Sequence, residues 1–428
     1  MPNLDRKLVK REIFGEMSAH LGKPEITLIT GSRQVGKTVL LFQLKDYLLK
    51  KGISEGLILF YNLDIISDWE MFQNQTEFIE FIKEKSEKNK IYIFVDEAQK
   101  VPDAARFFKG VYDSNLNVKL ILSGSSSLEI KAKFKETLAG RKMVFHLPVF
   151  TFLEFLRYKD KYLTELIERK KNISAISQQK LSKFYQEYLI FGGYPRVVIA
   201  ESREEKKKII NEIYSSYVEK DAVGFFEIKN KAAFNRLLKL LSAQIGQLVN
   251  VGELAANLGV DRETVERYIQ ALEETFILKK ITPYFRNPRQ EIVKSDKIYF
   301  MDLGIRNLLL DNFNSLDLRA DKGALLENAV LNEILFRARN KFCQIHFWRT
   351  KQKTEVDFII EEGKNLLPLE VKFSAEIDKE IIGLKNFRQK FKVNKSIVVA
   401  CSLIKKKNRT KMKNTYFIHP FELYKMLT

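Results

Sequence analysis

Two cysteines, four histidines, nine prolines and two tryptophans in 428 residues exclude several classes at once. Cys343 and Cys401 are too few for a disulfide framework or a thiolate metal site, and they suit a reducing compartment. His20, His146, His346 and His419 are scattered without ligand spacing, so a histidine-built metal centre is not expected. No apolar run reaches the roughly 18–20 residues a membrane helix needs. The opening MPNLDRKLVKREIF is charged and amphipathic, unlike a secretory signal, and a cytoplasmic setting without membrane contact is expected.

Positive charge is what the chain has in excess. The net charge is +19, and 331–428 alone carries 21 Lys and Arg against 10 Asp and Glu. That last quarter therefore holds more than half of the surplus, including the run KKKNRTKMK at 405–413. Such enrichment fits contact with a polyanion, DNA being the expected partner, and equally fits a lysine-rich solvated surface.

The stretch ITLITGSRQVGKTVLLFQL supplies a strand, a glycine-flanked loop and an apolar-periodic helix in sequence. It has the form G-x-x-x-x-G-K-[ST]. Gly31, Ser32, Arg33, Gln34, Val35 and Gly36 form the loop, whose backbone N–H groups and helix N-terminus suit phosphate oxygens. Lys37 is expected at the β- and γ-phosphates and the Thr38 hydroxyl at Mg²⁺, with ATP as the nucleotide. KIYIFVDEAQ reads as a buried strand ending in Asp96, a magnesium-shell carboxylate, and Glu97, a base that polarises the attacking water. VKLILSGSSS is a further strand, whose Ser123 or Ser125 either senses the γ-phosphate or caps a helix. Arg141 follows a Gly140 break and is either an arginine finger or a surface residue.

The motifs GSRQVGKT, FVDEAQ, SGSSS, LAGR, LPVFTFLEFL and FGGYP resemble those of AAA+ ATPases. More narrowly, they resemble a prokaryotic family whose members carry a C-terminal restriction-endonuclease-like domain. The resemblance implies an α/β protein with a phosphate-loop AAA+ domain at 1–150 and a helical lid at 151–230. A winged helix at 231–300 and the restriction-endonuclease-like domain at 301–428 complete the plan. It also makes Pro195 and Arg196, at the end of FGGYP, candidate nucleotide contacts; from sequence alone that stretch is a loop between helices.

GELAANLG and DRETVERYIQALEETF read as a helix-turn-helix, with the following segment as a wing. The exposed side of the second helix is too acidic for a good DNA reader. The wing cations Arg286, Arg289, Lys294 and Lys297 are the better nucleic-acid surface, and a protein-docking role is the alternative.

From 323 onward the pattern is helix, three strands, helix, strand. It resembles the core of the restriction-endonuclease superfamily, with Asp357 and Glu370-Val371-Lys372 in the D…(D/E)-x-K positions and Glu327 on the first helix. Asp357 and Glu370 are expected to ligate Mg²⁺, or Mn²⁺, through oxygen, with Glu327 through water or behind them. Lys372 is expected either to orient the attacking water or to stabilise the charge of the pentacovalent phosphorus. Simple alternation puts Glu355 with Asp357 on one face and Val356 with Phe358 on the other. The whole reads as an ATP-hydrolysing protein acting on DNA with a metal-dependent nuclease-like domain. The alternative is a nucleotide-dependent switch or remodeller whose last domain is an inactive module docking a protein partner, DNA or a second copy.

Overall fold

The computed structural model describes residues 8–87, 89–124, 138–169, 173–216, 228–285, 295–405 and 414–427. Ser125, the helix expected after it, and the cations Arg286, Arg289 and Lys294 lie outside the described residues, as does 406–413. The chain forms two compact units, one built on 1–150 and the other on nearly all of 151–428.

The first unit is organised around a five-stranded sheet in the order β2-β3-β4-β1-β5, where β1 is Ile26–Thr30, β2 Ile58–Asn62, β3 Ile91–Asp96, β4 Val118–Gly124 and β5 Lys142–His146. Every neighbouring pair is parallel. The strands are nearly continuous runs of apolar residues because helices cover both faces of such sheets. Phe72, Phe78, Phe107 and Phe108 pack with Ile93 and Leu122 in one buried cluster. The register aligns Thr30 with Gly124 and Asn62 with Asp96, so the C-terminal ends of β1, β3 and β4 meet at one edge. Loops at that edge are where parallel α/β sheets bind ligands.

The second unit begins with helices Phe152–Lys159, Lys161–Glu168, Ala175–Phe191, Pro195–Ile199 and Arg203–Ile213. Thr151 and Glu154 start the first of these with a reciprocal capping box. Helix Lys231–Ala243 precedes the pair Val251–Leu258 and Arg262–Glu274, whose turn is closed by Gly259 and capped by Asp261. A two-stranded antiparallel ribbon follows, β6 (Leu278–Ile281) against β7 (Lys297–Phe300). Lys297 corrects the wing reading: it is 2% exposed and turned into the protein, so it presents no charge to a nucleic acid. Lys297 and Tyr299 share one face of β7, which packs towards the last sheet.

That sheet runs β12-β11-β10-β9-β8, with β8 Cys343–Arg349, β9 Glu355–Glu362, β10 Asn365–Glu376, β11 Ser396–Ile404 and β12 Thr415–Ile418. β8, β9 and β10 form an antiparallel meander, and β10, β11 and β12 run parallel. Helix Lys322–Ala338 precedes the meander and helix Ile382–Phe391 crosses from β10 to β11. β12 is a strand the sequence pattern did not reveal.

Strict alternation fails in β9. His346 pairs with Ile359 but Trp348 pairs with Val356, so Asp357 and Phe358 of β9 lie opposite the single residue Phe347 of β8. Val356 and Ile359 consequently enter the same core cluster with Trp348, Leu384 and Phe387, while Phe358 packs on Tyr299. The expectation that Val356 and Phe358 share a face is therefore corrected: an irregular strand re-aims its side chains at this point.

Candidate functional site

At the upper edge of the first sheet, Gly31 has φ 157°, and a Cβ there would overlap the Leu147 carbonyl oxygen. Only glycine lets the two backbones approach so closely. Lys37 is buried and folds back along the loop, its Nζ donating to Gly31 O at 3.0 Å and Ser32 O at 2.9 Å. Ser32 and Val35 are buried, whereas Arg33 is exposed and Gln34 turns the chain at φ 62°. Asp96, at the tip of β3, accepts from Thr38 Oγ1 at 2.5 Å and from the Ser123 hydroxyl. Burial raises the Asp96 pKa, and the two hydroxyl donors oppose that rise. Glu97 takes a left-handed φ of 56°, and its carboxylate accepts from Gln99 Nε2 at 2.6 Å.

Thr38, Asp96, Ser123 and Lys37 thus converge on one loop. An oxygen pair already in contact, a hydroxyl and a carboxylate, is the donor set a nucleotide-bound Mg²⁺ takes. Ser123 is fully buried and engaged with Asp96, which makes it a support for that carboxylate. Arg141 is not brought to this edge. Its carbonyl accepts from Ile26 N at the start of β1, and its guanidinium is held by Asp113 Oδ1 at 2.7 Å. β1 runs five residues from there to the loop, roughly 13–17 Å of strand, so Arg141 does not face the phosphate loop of its own chain. Arg11 is a residue that sequence reasoning missed. Buried, it donates to Val35 O at 2.8 Å and Pro148 O at 2.7 Å, tying the loop to the strand exit. Nothing in its local sequence marks it.

In the second unit Pro195 opens its short helix, and Arg196 lies in a bidentate pair with Glu212 at 2.8 and 3.1 Å. Asp302 was also missed; its carboxylate accepts from Gly193 N at 2.8 Å and Ile305 N at 3.0 Å, fixing the turn of FGGYP.

A second cluster of titratable groups gathers Glu327, Asp357, Glu370 and Lys372, with Lys297, Tyr299 and Glu355. Pairing between β9 and β10 ends at Phe358 and Leu369. Beyond it the strands part, and the Asp357 carboxylate replaces a backbone acceptor, taking Val371 N–H at 2.7 Å. Glu370 is buried; its Oε1 accepts from Lys372 Nζ at 2.6 Å, and its Oε2 has no partner among the described residues. Glu327 accepts from Tyr299 OH at 2.6 Å and lies 3.3 Å from Lys297 Nζ. Burial, then the neighbouring Asp357 charge, pushes Glu327 up to about 7 and Glu370 up to about 8. Carboxylates crowded this closely share protons until a cation replaces them. Among the described residues no three His, Cys, Asp or Glu side chains form a finished metal cage. The open donors are Glu370 Oε2 and the Asp357 carboxylate, a two-carboxylate set suited to a hard cation that keeps some of its waters.

Residues 23–156 match the protein family described as "AAA domain". The first unit is an AAA-type ATPase domain with a nucleotide-binding phosphate loop. Residues 182–316 and 322–421 match two families described as domains of unknown function, DUF8612 and DUF4143. The chain is similar to an uncharacterized protein of Haemophilus influenzae, 26% identical over 356 residues, covering 81% of this chain and 82% of that one. An uncharacterized protein of Methanocaldococcus jannaschii is also 26% identical, over 380 residues, 86% of this chain and 79% of that one. Among solved structures, the ADP form of the Aeropyrum pernix ORC2 protein is 11% identical, with 73% of this chain and 98% of that chain covered at a TM-score of 0.37. AMPPCP-bound DnaA from Aquifex aeolicus is 17% identical, with 61% and 86% covered at a TM-score of 0.25. No described helix is long and apolar enough to cross a membrane.

Proposed function

We propose that this ATPase acts on DNA and that its last domain is a metal-dependent nuclease of the restriction-endonuclease-like type. One observation carries the second half: Glu370 is buried with an unpartnered oxygen beside the carboxylate of Asp357, with Lys372 held at its other oxygen. A carboxylate so placed is costly unless it serves a ligand. A divalent cation bound there supplies an acidic water and neutralises a phosphodiester. Asp357 and Glu370 would hold it and Lys372 would orient the water, while Val371 N–H fixes the Asp357 carboxylate. The basic surplus of 331–428 supports DNA as the polyanion. In the first unit, Lys37 neutralises the phosphates, Thr38 and Asp96 take the Mg²⁺, and Glu97 polarises the attacking water.

With Mg²⁺ or Mn²⁺, purified protein nicks supercoiled plasmid and Asp357→Ala does not, while both hydrolyse ATP; Lys37→Ala loses ATP turnover. Equal cleavage by wild type and Asp357→Ala overturns the nuclease reading. No cleavage by either, with ATP turnover intact, favours the nucleotide-dependent switch with an inactive docking module.

A further inference from the structure

The four carboxylates of the second cluster divide into two pairs by what satisfies them. Glu327 and Glu355 share one ammonium: Lys297 Nζ lies 3.3 Å from Glu327 Oε1 and is ion-paired with Glu355 Oε1. Tyr299 OH completes Glu327 at 2.6 Å, and Arg349 NH1 lies 3.3 Å from Glu355 Oε2. Among the described residues, the hydrogen bonds to Asp357 and Glu370 come from Val371 N–H and the Lys372 ammonium, and Glu370 Oε2 is left open. Lys297 comes from β7, outside both the hairpin and the helix that carry the acids, and it is 2% exposed. An ammonium buried that deeply persists only because carboxylates surround it.

The Lys297 charge also acts on Asp357, so the balance is taken over the whole cluster. Glu327, Glu355, Asp357 and Glu370 face Lys297, Arg349 and Lys372, leaving one net negative charge when all are ionised. One divalent cation inverts that balance by a single charge. A second would add two more positive charges beside an ammonium that already occupies its carboxylates, in a medium that screens poorly.

We propose that Lys297 is the resident cation of this site, its ammonium filling the place of a second metal, so that the pocket takes one divalent cation at Asp357 and Glu370. This rests on the metal reading given above and adds its stoichiometry and the residue that sets it. Lys297 is a positioning residue: it acts through Glu327 and Glu355, whose carboxylates it holds.

The test is Mn²⁺ counting by equilibrium dialysis and electron paramagnetic resonance on the full, nucleotide-free chain, taking Asp357→Asn as the blank. Wild type binds one Mn²⁺ more than the blank, and Lys297→Arg keeps that count. Lys297→Met, and Lys297→Gln as the variant that retains a donor, bind two, with the signal broadened by a neighbouring Mn²⁺. A wild-type count of two overturns the assignment of Lys297 and leaves the metal site standing. A folded Lys297→Met or Lys297→Gln that still binds one also overturns it. A wild-type count of zero overturns the metal reading itself.

Discussion

Asp302 shows how one buried side chain can make stability depend on pH. It is buried with its carboxylate towards backbone N–H groups of Gly193, Gly304 and Ile305. Burial pushes its pKa up to about 6, and the three donors keep it from rising further. The folded value lies above the ordinary 3.8, so the native state holds this proton more tightly than the unfolded chain. The resulting stability is complete below the unfolded pKa and is lost as pH rises through the folded one. Asp302→Asn, neutral at all pH, removes the effect. The stability of wild type minus that of the variant should fall by about 2–3 kcal/mol between pH 4 and 6, then stay level. Urea titrations across that range check it, and a flat difference would show that Asp302 is ionised in the fold throughout. Lys297 teaches the complementary lesson. In the sequence it is one of several wing cations, and only its neighbours in space make it an internal counter-ion.

Elements were legible where their signals are local. Helix Val251–Leu258 is capped by Asn250 through Gly252 N and Glu253 N, which no motif singled out, and the next helix by Asp261 through Thr264 N at 2.6 Å, a cap its place at the head of DRETVERYIQALEETF suggests. Gly259 closes the first of these helices at φ 65°, and a Cβ there would meet open space. Gly259→Ala therefore measures the left-handed backbone alone and should cost about 1 kcal/mol. A denaturant midpoint shift with unchanged slope is the expected result; no shift would mean that the turn relaxes. The β-strands were legible in their apolar runs but not in their partners. The offset in β9 requires β8 opposite it, and β12, four residues long with an exposed face, depends on pairing with β11. Arg141 belongs here too. Its place at the lower end of the first sheet follows from β5 running parallel to β1, which no spacing in the sequence announces.

At the scale of the molecule, two compact units should respond to different ligands. In scanning calorimetry, a nucleotide at a hundred times its dissociation constant should stabilise the first unit by about 2.7 kcal/mol, and Mn²⁺ should act on the second. Two transitions, each moved by its own ligand, are expected; a single transition moved by both would show the units to unfold as one. The sequence by itself determined the phosphate loop, the parallel-sheet strands and the paired helices of GELAANLG and DRETVERYIQALEETF, because each is written in short-range spacing and side-chain period; Glu327, Asp357 and Glu370 entered as candidate ligands through the resemblance. Tertiary structure alone decided that Asp96 is held by both Thr38 and Ser123, that Arg11 braces the loop and that Asp302 fixes the FGGYP turn. It also decided that Lys297 is buried against Glu327 and Glu355. Those outcomes depend on burial and on charges brought together from distant parts of the chain, and a local pattern encodes neither.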